Sequence, residues 1–183
     1  MKLTRSIFSI LLIVTIFSCT GKGVPSLPGY GNLISSIQIH IKAEKEDADL
    51  FEEGKIPWIN LEKPQLEKLY DADEIVLTST KVTLVIDYPL AKPATFELTS
   101  KSGFTRKQLI IEISKKYAEI YNAEEISAKT KTIPSEKRAG VINRNETDGK
   151  YGICCHDLSD LDLSVIEVYK NGDSRYLILG VES

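Results

Sequence analysis

The most chemically reactive stretch of this chain is the run Cys154-Cys155-His156-Asp157. A nucleophilic cysteine needs a base within hydrogen-bonding distance and usually a third, orienting group. In an extended segment, Cys154 and His156 share one face while the other two side chains share the opposite face. Adjacent residues therefore seldom give that catalytic geometry. A zinc site requires about four ligands, commonly from a Cys-x-x-Cys spacing with distant partners, whereas these cysteines are adjacent and the only other histidine is His40.

Two further interpretations of this run remain open. In an oxidising compartment Cys154 and Cys155 can form a disulfide, although adjacent cysteines close only a strained ring. The plainest interpretation is that both are small, partly buried thiols on a strand edge, while His156 and Asp157 turn the chain. The pattern favours this last interpretation, so we assign no catalytic residue in the run and keep its four residues as an alternative reactive run.

The other familiar site motifs do not fit this sequence. Counting an EF-hand from Asp157 puts Asp162 at position six and Val168 at position twelve, where glycine and glutamate are needed. The sequence also lacks a phosphate-binding loop, a dinucleotide glycine fingerprint, a Gly-x-Ser-x-Gly elbow and a His-Glu-x-x-His pair. We therefore predict no metal site and no cofactor, and we favour a binding function over an enzyme.

Residues 123–150 show no apolar period and carry a cluster of basic side chains. Long segments of this kind in compact domains are usually functional or disordered. We predict a weak binding surface on this segment. Its members are Lys129, Lys131, Lys137, Arg138 and Arg144.

The strands and the helix that position these residues are predicted from the spacing of hydrophobic residues and from turn sequences. Alternation of β-branched residues predicts half-buried strands, and Asn171-Gly172 between two alternating runs predicts a hairpin. The predicted strands cover 33–43, 74–88 (one strand, or a bent pair broken near Ser79-Thr80), 94–99, 164–169 and 175–181.

A helix is predicted over residues 105–122. Thr105 and Gln108 have the spacing of a capping box, and Glu112 with Lys116 forms an i,i+4 pair on the solvent side. The order of elements predicts an α+β domain with a mostly antiparallel sheet of about four to six strands and one main helix packed on one face. The predicted buried stripe of the helix consists of Ile110, Ile113, Tyr117 and Ile120.

Composition narrows the class of protein. The chain has 183 residues, of which 42% are hydrophobic and 27% are charged, and this is typical of one soluble domain rather than a disordered chain. A sequence pI of about 5.5 argues against a nucleic-acid partner. Only the N-terminal apolar run approaches the length of a membrane span, which excludes a polytopic membrane protein.

The N-terminus predicts an envelope location. Lys2 and Arg5 precede an almost unbroken apolar run over 7–17, which is too short to span a bilayer but suits a signal peptide. The quartet Ile16-Phe17-Ser18-Cys19 that follows resembles a lipobox, so residues 1–20 resemble a bacterial lipoprotein precursor. The resemblance implies a signal peptide over 1–18, cleavage before Cys19, and acylation of the thiol and the new amine of Cys19.

The resemblance sets the expected organisation and function. We expect a Gly/Pro/Ser-rich tether over 19–32, a single domain over 33–183, and a lipid anchor in a bacterial envelope membrane, at the outer membrane or the periplasmic face. The expected partners are the bilayer, through Cys19, and an envelope protein. The predicted function is a non-enzymatic binding module; the alternatives are an envelope enzyme that uses the reactive run and an immunity or inhibitor-type lipoprotein.

Overall fold

The structure is a computed structural model, and it describes residues 26–140 and 143–183. The predicted signal peptide over 1–18, the predicted lipidation site Cys19 and the first part of the predicted tether, 19–25, lie outside the described residues. Within the described ranges, no helix combines the length and the apolar character needed to cross a membrane.

The described part of the chain contains one long α-helix, several single-turn 3-10 helices and eleven strands. The α-helix α1 is Arg106–Ser127. Single-turn 3-10 helices are Ala48–Leu50, Glu52–Gly54, Leu66–Lys68, Ser135–Lys137 and Leu158–Asp160. The strands are β1 Ser26–Leu27, β2 Gly31–Gln38, β3 Ile41–Lys42, β4 Lys55–Ile56, β5 Ile59–Asn60, β6 Ile75–Leu77, β7 Lys81–Ile86, β8 Ala94–Thr99, β9 Phe104–Thr105, β10 Asp162–Asn171 and β11 Ser174–Glu182.

The main sheet is mixed but mostly antiparallel. Its seven strands run in the order β1-β2-β10-β11-β7-β8, and β5 adds to the beginning of β10. The pair β11 and β7 is parallel, while the other pairs of this sheet are antiparallel. The predicted α+β class with one helix on a mostly antiparallel sheet is confirmed. The strand count exceeds four to six because β1 and β5 are two-residue strands, which are too short to show a period.

The predicted strand over 74–88 is a broken pair whose two halves belong to different sheets. β6 pairs with β9, and β7 lies in the main sheet between β11 and β8. Gly103 makes the first pairing possible, because a Cβ at this position would lie 2.4 Å from the carbonyl oxygen of Leu77. The predicted return strand is β8, and the predicted Asn171-Gly172 hairpin is β10 with β11, in which Gly172 has the positive φ that its turn requires.

The helix begins as predicted and ends later. The amide of Gln108 donates to Thr105 Oγ1 at 3.1 Å and the amide of Thr105 donates to Gln108 Oε1 at 2.9 Å, which confirms the capping box. The predicted stripe is buried, together with Leu109. The predicted end at residue 122 was wrong, since α1 continues to Ser127 and adds the buried Glu124.

The predicted ion pair on the helix surface was also wrong. Lys116 pairs with Glu119 at 2.8 Å, and Glu112 pairs with Lys115 at 3.1 Å, so both pairs are spaced i,i+3. These partners are exposed or half-exposed, and such pairs contribute little to stability.

One core holds the helix and the sheet together. The inward stripe of α1 packs in the same cluster as Leu84, Ile166 and Leu177 from three adjacent strands of the main sheet. The C-terminal end of the helix, at Glu124, meets the loop that carries the reactive run.

The described part of the predicted tether is folded. Residues 26–32 form a small antiparallel hairpin in which Ser26 pairs with Asn32 and Leu27 pairs with Gly31. Tyr30, in the turn, contacts the ring of Tyr176 on β11 with a centroid separation of 5.2 Å. The folded domain therefore includes residues 26–32, and the prediction of a tether over these residues was wrong because Gly and Pro form a turn against the sheet.

Candidate functional site

Cys154 and Cys155 are joined to each other in a disulfide. The favoured interpretation of two free thiols was therefore wrong, and the disulfide interpretation is the one that the structure supports. Neither sulfur is available as a nucleophile or a zinc ligand while this bond is closed. Cys155 has a φ of 75°, which is unusual for a residue other than glycine.

The disulfide forms part of a surface cleft of about 350 Å³. The cleft has an apolar floor that includes Pro89 and Gly152, and two carboxylates, Asp87 and Glu146, at its exposed rim. We call it the disulfide cleft; its lining residues are 87–91, Glu146, Gly152 and 154–156.

Two segments meet side by side to build this cleft. The amide of Ala91 donates to the carbonyl of Gly152 and the amide of Lys92 donates to that of Tyr151, both at 2.9 Å. Leu90 and Ile153 form an isolated antiparallel bridge between the same segments. The turn after β7 is therefore bound to the loop before β10, and this pairing extends to the disulfide, where the amide of Cys154 donates to the carbonyl of Pro89 at 3.5 Å.

The polar groups of the cleft do not form a catalytic triad. The rings of Tyr88 and His156 lie 5.6 Å apart, and Ser183 connects them, with its Oγ 2.8 Å from the Tyr88 hydroxyl and 3.5 Å from His156 Nε2. Asp157 instead binds Arg138 in a two-pronged ion pair, with Nη2 to Oδ1 at 2.9 Å. The sequence neighbours His156 and Asp157 thus have separate partners, and among the described residues no acid orients this imidazole.

Glu124, at the end of α1, anchors the loop that carries the disulfide. Its carboxylate is fully buried and accepts hydrogen bonds from the Thr147 hydroxyl at 2.7 Å and from the amides of Gly149 at 2.8 Å, Tyr151 at 2.7 Å and Gly152 at 3.1 Å. Burial acts to raise the pKa of Glu124, but these four donors outweigh it, and the pKa lies below its ordinary value. The side chain is therefore a buried carboxylate ion near neutral pH.

Arg144 fixes the other side of the same loop. It is 4% exposed and donates to the carbonyl of Ile153 at 3.0 Å and to the Thr132 hydroxyl at 2.6 Å. Its guanidinium also lies over the ring of Tyr121, whose hydroxyl donates to the carbonyl of His156 at 2.9 Å. Burial raises the pKa of Tyr121, so this hydroxyl stays protonated and keeps donating.

Two of the five predicted basic residues, Arg138 and Arg144, are used inside the protein. Arg144 is buried, and the side chain of Arg138 is 6% exposed beside Asp157. The ammonium of Lys131 binds the carbonyl of Glu125 at the C-terminal end of α1, as basic groups near helix ends commonly do. Lys129 and Lys137 are exposed. The five residues therefore do not form one surface.

Sequence reasoning missed Glu124 and Glu146 as site residues. Glu124 continues the spacing of the buried stripe, four residues after Ile120, and this period was the available signal. Glu146 carries no local signal, because it reaches the cleft only through the fold of residues 143–157.

The carboxylates that follow the disulfide in the sequence have structural partners. Asp157 caps the 3-10 turn Leu158–Asp160, and Asp162 accepts a hydrogen bond from Asn60 at 3.2 Å. Within the described ranges, no group of three or more His, Cys, Asp or Glu side chains is placed to hold a metal ion.

A larger depression of about 450 Å³ lies between β2 and the segment before β6. Its arginine, Arg106, already donates to the carbonyl of Gln38 and to Glu74, both at 2.6 Å. At the disulfide cleft, in contrast, Asp87 and Glu146 form no ion pair with any described residue, and the disulfide and His156 lie beside them. The smaller cleft is therefore the better candidate.

Comparison with protein-family models, curated proteins and solved structures gives no match to this chain. Its function must be argued from the disulfide cleft and from the sequence.

Proposed function

We propose that this protein is a membrane-tethered envelope lipoprotein that acts as a non-enzymatic binding module, with the disulfide cleft as its binding site. The resemblance of residues 1–20 to a lipoprotein precursor supports the tether. The observation that carries the binding proposal is the cleft itself: an apolar floor, two aromatic rings and two rim carboxylates around a closed disulfide.

The chemistry of the cleft selects a basic side chain on a partner protein. Asp87 and Glu146 attract a cation at the rim, and the rings of Tyr88 and His156 offer flat faces beside it. The aliphatic stem of a lysine or arginine would lie on the floor formed by Pro89 and the disulfide. The cleft of about 350 Å³ accommodates such a side chain rather than a large cofactor.

Tethering would supply much of the binding strength. Confinement beside a membrane raises the effective concentration of a partner in the same envelope without any new contact. Removal of residues 1–18 leaves 21 basic against 26 acidic side chains, so anionic headgroups repel the mature chain. The acyl chains on Cys19, rather than surface charge, would then keep the protein at the membrane.

The enzyme alternative has less support than the binding module. Both thiols of the reactive run are consumed in the disulfide, and Asp157, the acid next to His156, is bound to Arg138 instead. The immunity or inhibitor alternative is a special case of the binding module, in which the partner is an enzyme.

Mass spectrometry of the protein purified from its native membrane tests the tether. We expect the N-terminal peptide to begin at Cys19 and to carry a diacylglyceryl group and an amide-linked acyl chain. The Cys19→Ala variant should lack all of these and should leave the membrane fraction. An unacylated product that is released freely would overturn the tether.

Site-specific photo-crosslinking in intact cells tests the binding site. A crosslinking amino acid at Ala91, an exposed residue of the cleft rim, should trap one envelope protein, and the same amino acid at the exposed Asp173, in the β10–β11 turn, should not. The double variant Asp87→Asn with Tyr88→Ala should reduce the yield several-fold. Equal yields from the rim and turn positions would refute recognition at the cleft.

A further inference from the structure

We propose that the Cys154–Cys155 disulfide is a site of thiol–disulfide exchange with an envelope dithiol reductant, and that its reduction opens one wall of the disulfide cleft. Both cysteines are partly exposed and line the cleft, so a thiolate can approach from solvent. The disulfide closes no long loop, because its two cysteines are adjacent. It therefore adds little to the stability of the fold and is free to act locally.

The exchange reaction balances with a dithiol as the only co-reactant. One thiolate of the reductant attacks a sulfur of the Cys154–Cys155 pair, which forms a mixed disulfide and releases the other cysteine as a thiolate. The second thiol of the reductant then attacks the mixed disulfide. The reductant leaves as its own disulfide, and two electrons and two protons have passed to this protein as two cysteine thiols.

The closed ring determines the backbone beside the cleft. Cys155 has a φ of 75°, in the left-handed region that side chains with a Cβ disfavour. His156 follows directly, and its amide donates to the carbonyl of Cys154 at 2.9 Å. Once the ring is open, Cys155 is free to relax to a negative φ, and we expect this relaxation to shift the following His156 relative to Tyr88.

The rest of the site does not depend on the sulfur atoms. Glu124 binds the amides of Gly149, Tyr151 and Gly152, and Arg144 binds the carbonyl of Ile153. These contacts hold the loop up to residue 153 in either redox state. Reduction should therefore change the cleft wall at 154–156 and leave the fold intact.

The histidine resonances provide a direct readout of this change. The chain has two histidines, His156 in the cleft and His40 far from it in sequence and outside the cleft lining. We would record the imidazole proton NMR spectrum of the acylated protein in detergent micelles, first with oxidised and then with reduced dithiothreitol. In parallel, alkylation and mass spectrometry would count free thiols. We expect two thiols to appear on reduction, the His156 resonance to shift, the His40 resonance to stay, and oxidation to restore the first spectrum.

A double variant, Cys154→Ser with Cys155→Ser, extends the test. Its His156 resonance should match that of the reduced protein and should not respond to dithiothreitol. Because the reduced wild-type protein gives the same information, the test stands even where the variant folds poorly. Free thiols in the oxidised sample, an unmoved His156 resonance, or a shift of both histidines that signals unfolding would each overturn the proposal.

The consequence for binding rests on the proposed function, and the exchange reaction does not. Reduction should lower the crosslinking yield at Ala91 several-fold. An unchanged yield, with the His156 shift present, would refute redox control of binding. The absence of any crosslink in either state would refute the proposed function and leave the exchange site as measured by thiol counting and the His156 shift.

Discussion

Replacement of Glu124 by glutamine tests whether a buried carboxylate organises the disulfide cleft. In the wild type, Oε1 accepts from Thr147 and Gly149, and Oε2 accepts from the amides of Tyr151 and Gly152. Glutamine keeps one oxygen, which can still accept from the amides of Tyr151 and Gly152. Its NH₂ group then faces the Thr147 hydroxyl, which can accept, and the Gly149 amide, which cannot, so one donor faces another. An unsatisfied buried donor costs about 1 to 3 kcal/mol, and we therefore expect Glu124→Gln to lower the free energy of unfolding by about 1 to 3 kcal/mol.

The pH dependence of this loss provides a second check. Because the folded pKa of Glu124 is lowered, its stabilisation is fully present above the ordinary carboxyl pKa of the unfolded chain, about 4.3, and disappears as the pH falls through the lower folded value. The difference between wild type and Glu124→Gln should thus be constant between about pH 5.5 and pH 7 and should shrink below about pH 4.

Urea unfolding followed by circular dichroism at a series of pH values measures both quantities. The matched control is Glu119→Gln on the exposed side of the same helix, whose ion pair with Lys116 should be worth at most about 1 kcal/mol. A loss at Glu124 no larger than that of the control, or a difference that stays flat to about pH 3, would refute the role of this carboxylate as the anchor of the loop.

Three further substitutions test neighbouring parts of the structure. Thr105→Ala should cost about 0.5 to 2 kcal/mol in urea unfolding, while Thr105→Ser, which keeps the capping oxygen, should cost much less; equal losses would contradict the capping box. Gly149→Ala should cost about 1 to 3 kcal/mol, since the new Cβ would lie 2.7 Å from the carbonyl oxygen of Glu124; unchanged stability would show that the loop shifts freely. Arg138→Lys should lower the thermal midpoint by several degrees because a point charge cannot replace the two-pronged contact with Asp157, and an unchanged midpoint in calorimetry would contradict this role.

The fold could be predicted where local chemistry agrees with tertiary packing. The capping residues of α1, its buried stripe and the β10–β11 hairpin each carry their own signal in a few adjacent residues. The two-residue strands β1 and β5 do not, because their pairing depends on partners that are distant in sequence, such as Asn60 opposite Asp162. The parallel pairing of β11 with β7 likewise depends on the assembled sheet.

The candidate site could be predicted in part only. The run Cys154-Cys155-His156-Asp157 was identified from residue type, but its chemistry was assigned to free thiols because adjacency makes a disulfide strained, and residue type alone does not show the backbone that accepts it. In the structure, Gly152 and Cys155 both have positive φ and turn the chain twice within four residues. The hydrogen bonds to Glu124 and Arg144, which lie up to about thirty positions away in the chain, hold the backbone as far as residue 153, and the disulfide itself holds the turn at Cys155.

The same contacts explain why two of the arginines in the basic loop do not contribute to an exposed basic surface. An arginine that is buried beside a carboxylate loses its long-range field, and Arg138 and Arg144 both lie beside Asp157. What remains at the surface near the disulfide is negative, from Asp87 and Glu146, on a domain that is itself acidic. The partner proposed for the cleft is therefore basic, whereas an exposed basic segment would favour an acidic one. The number of basic residues in the segment does not decide the charge near the cleft. The fold decides it, because it places Arg138 and Arg144 beside Asp157.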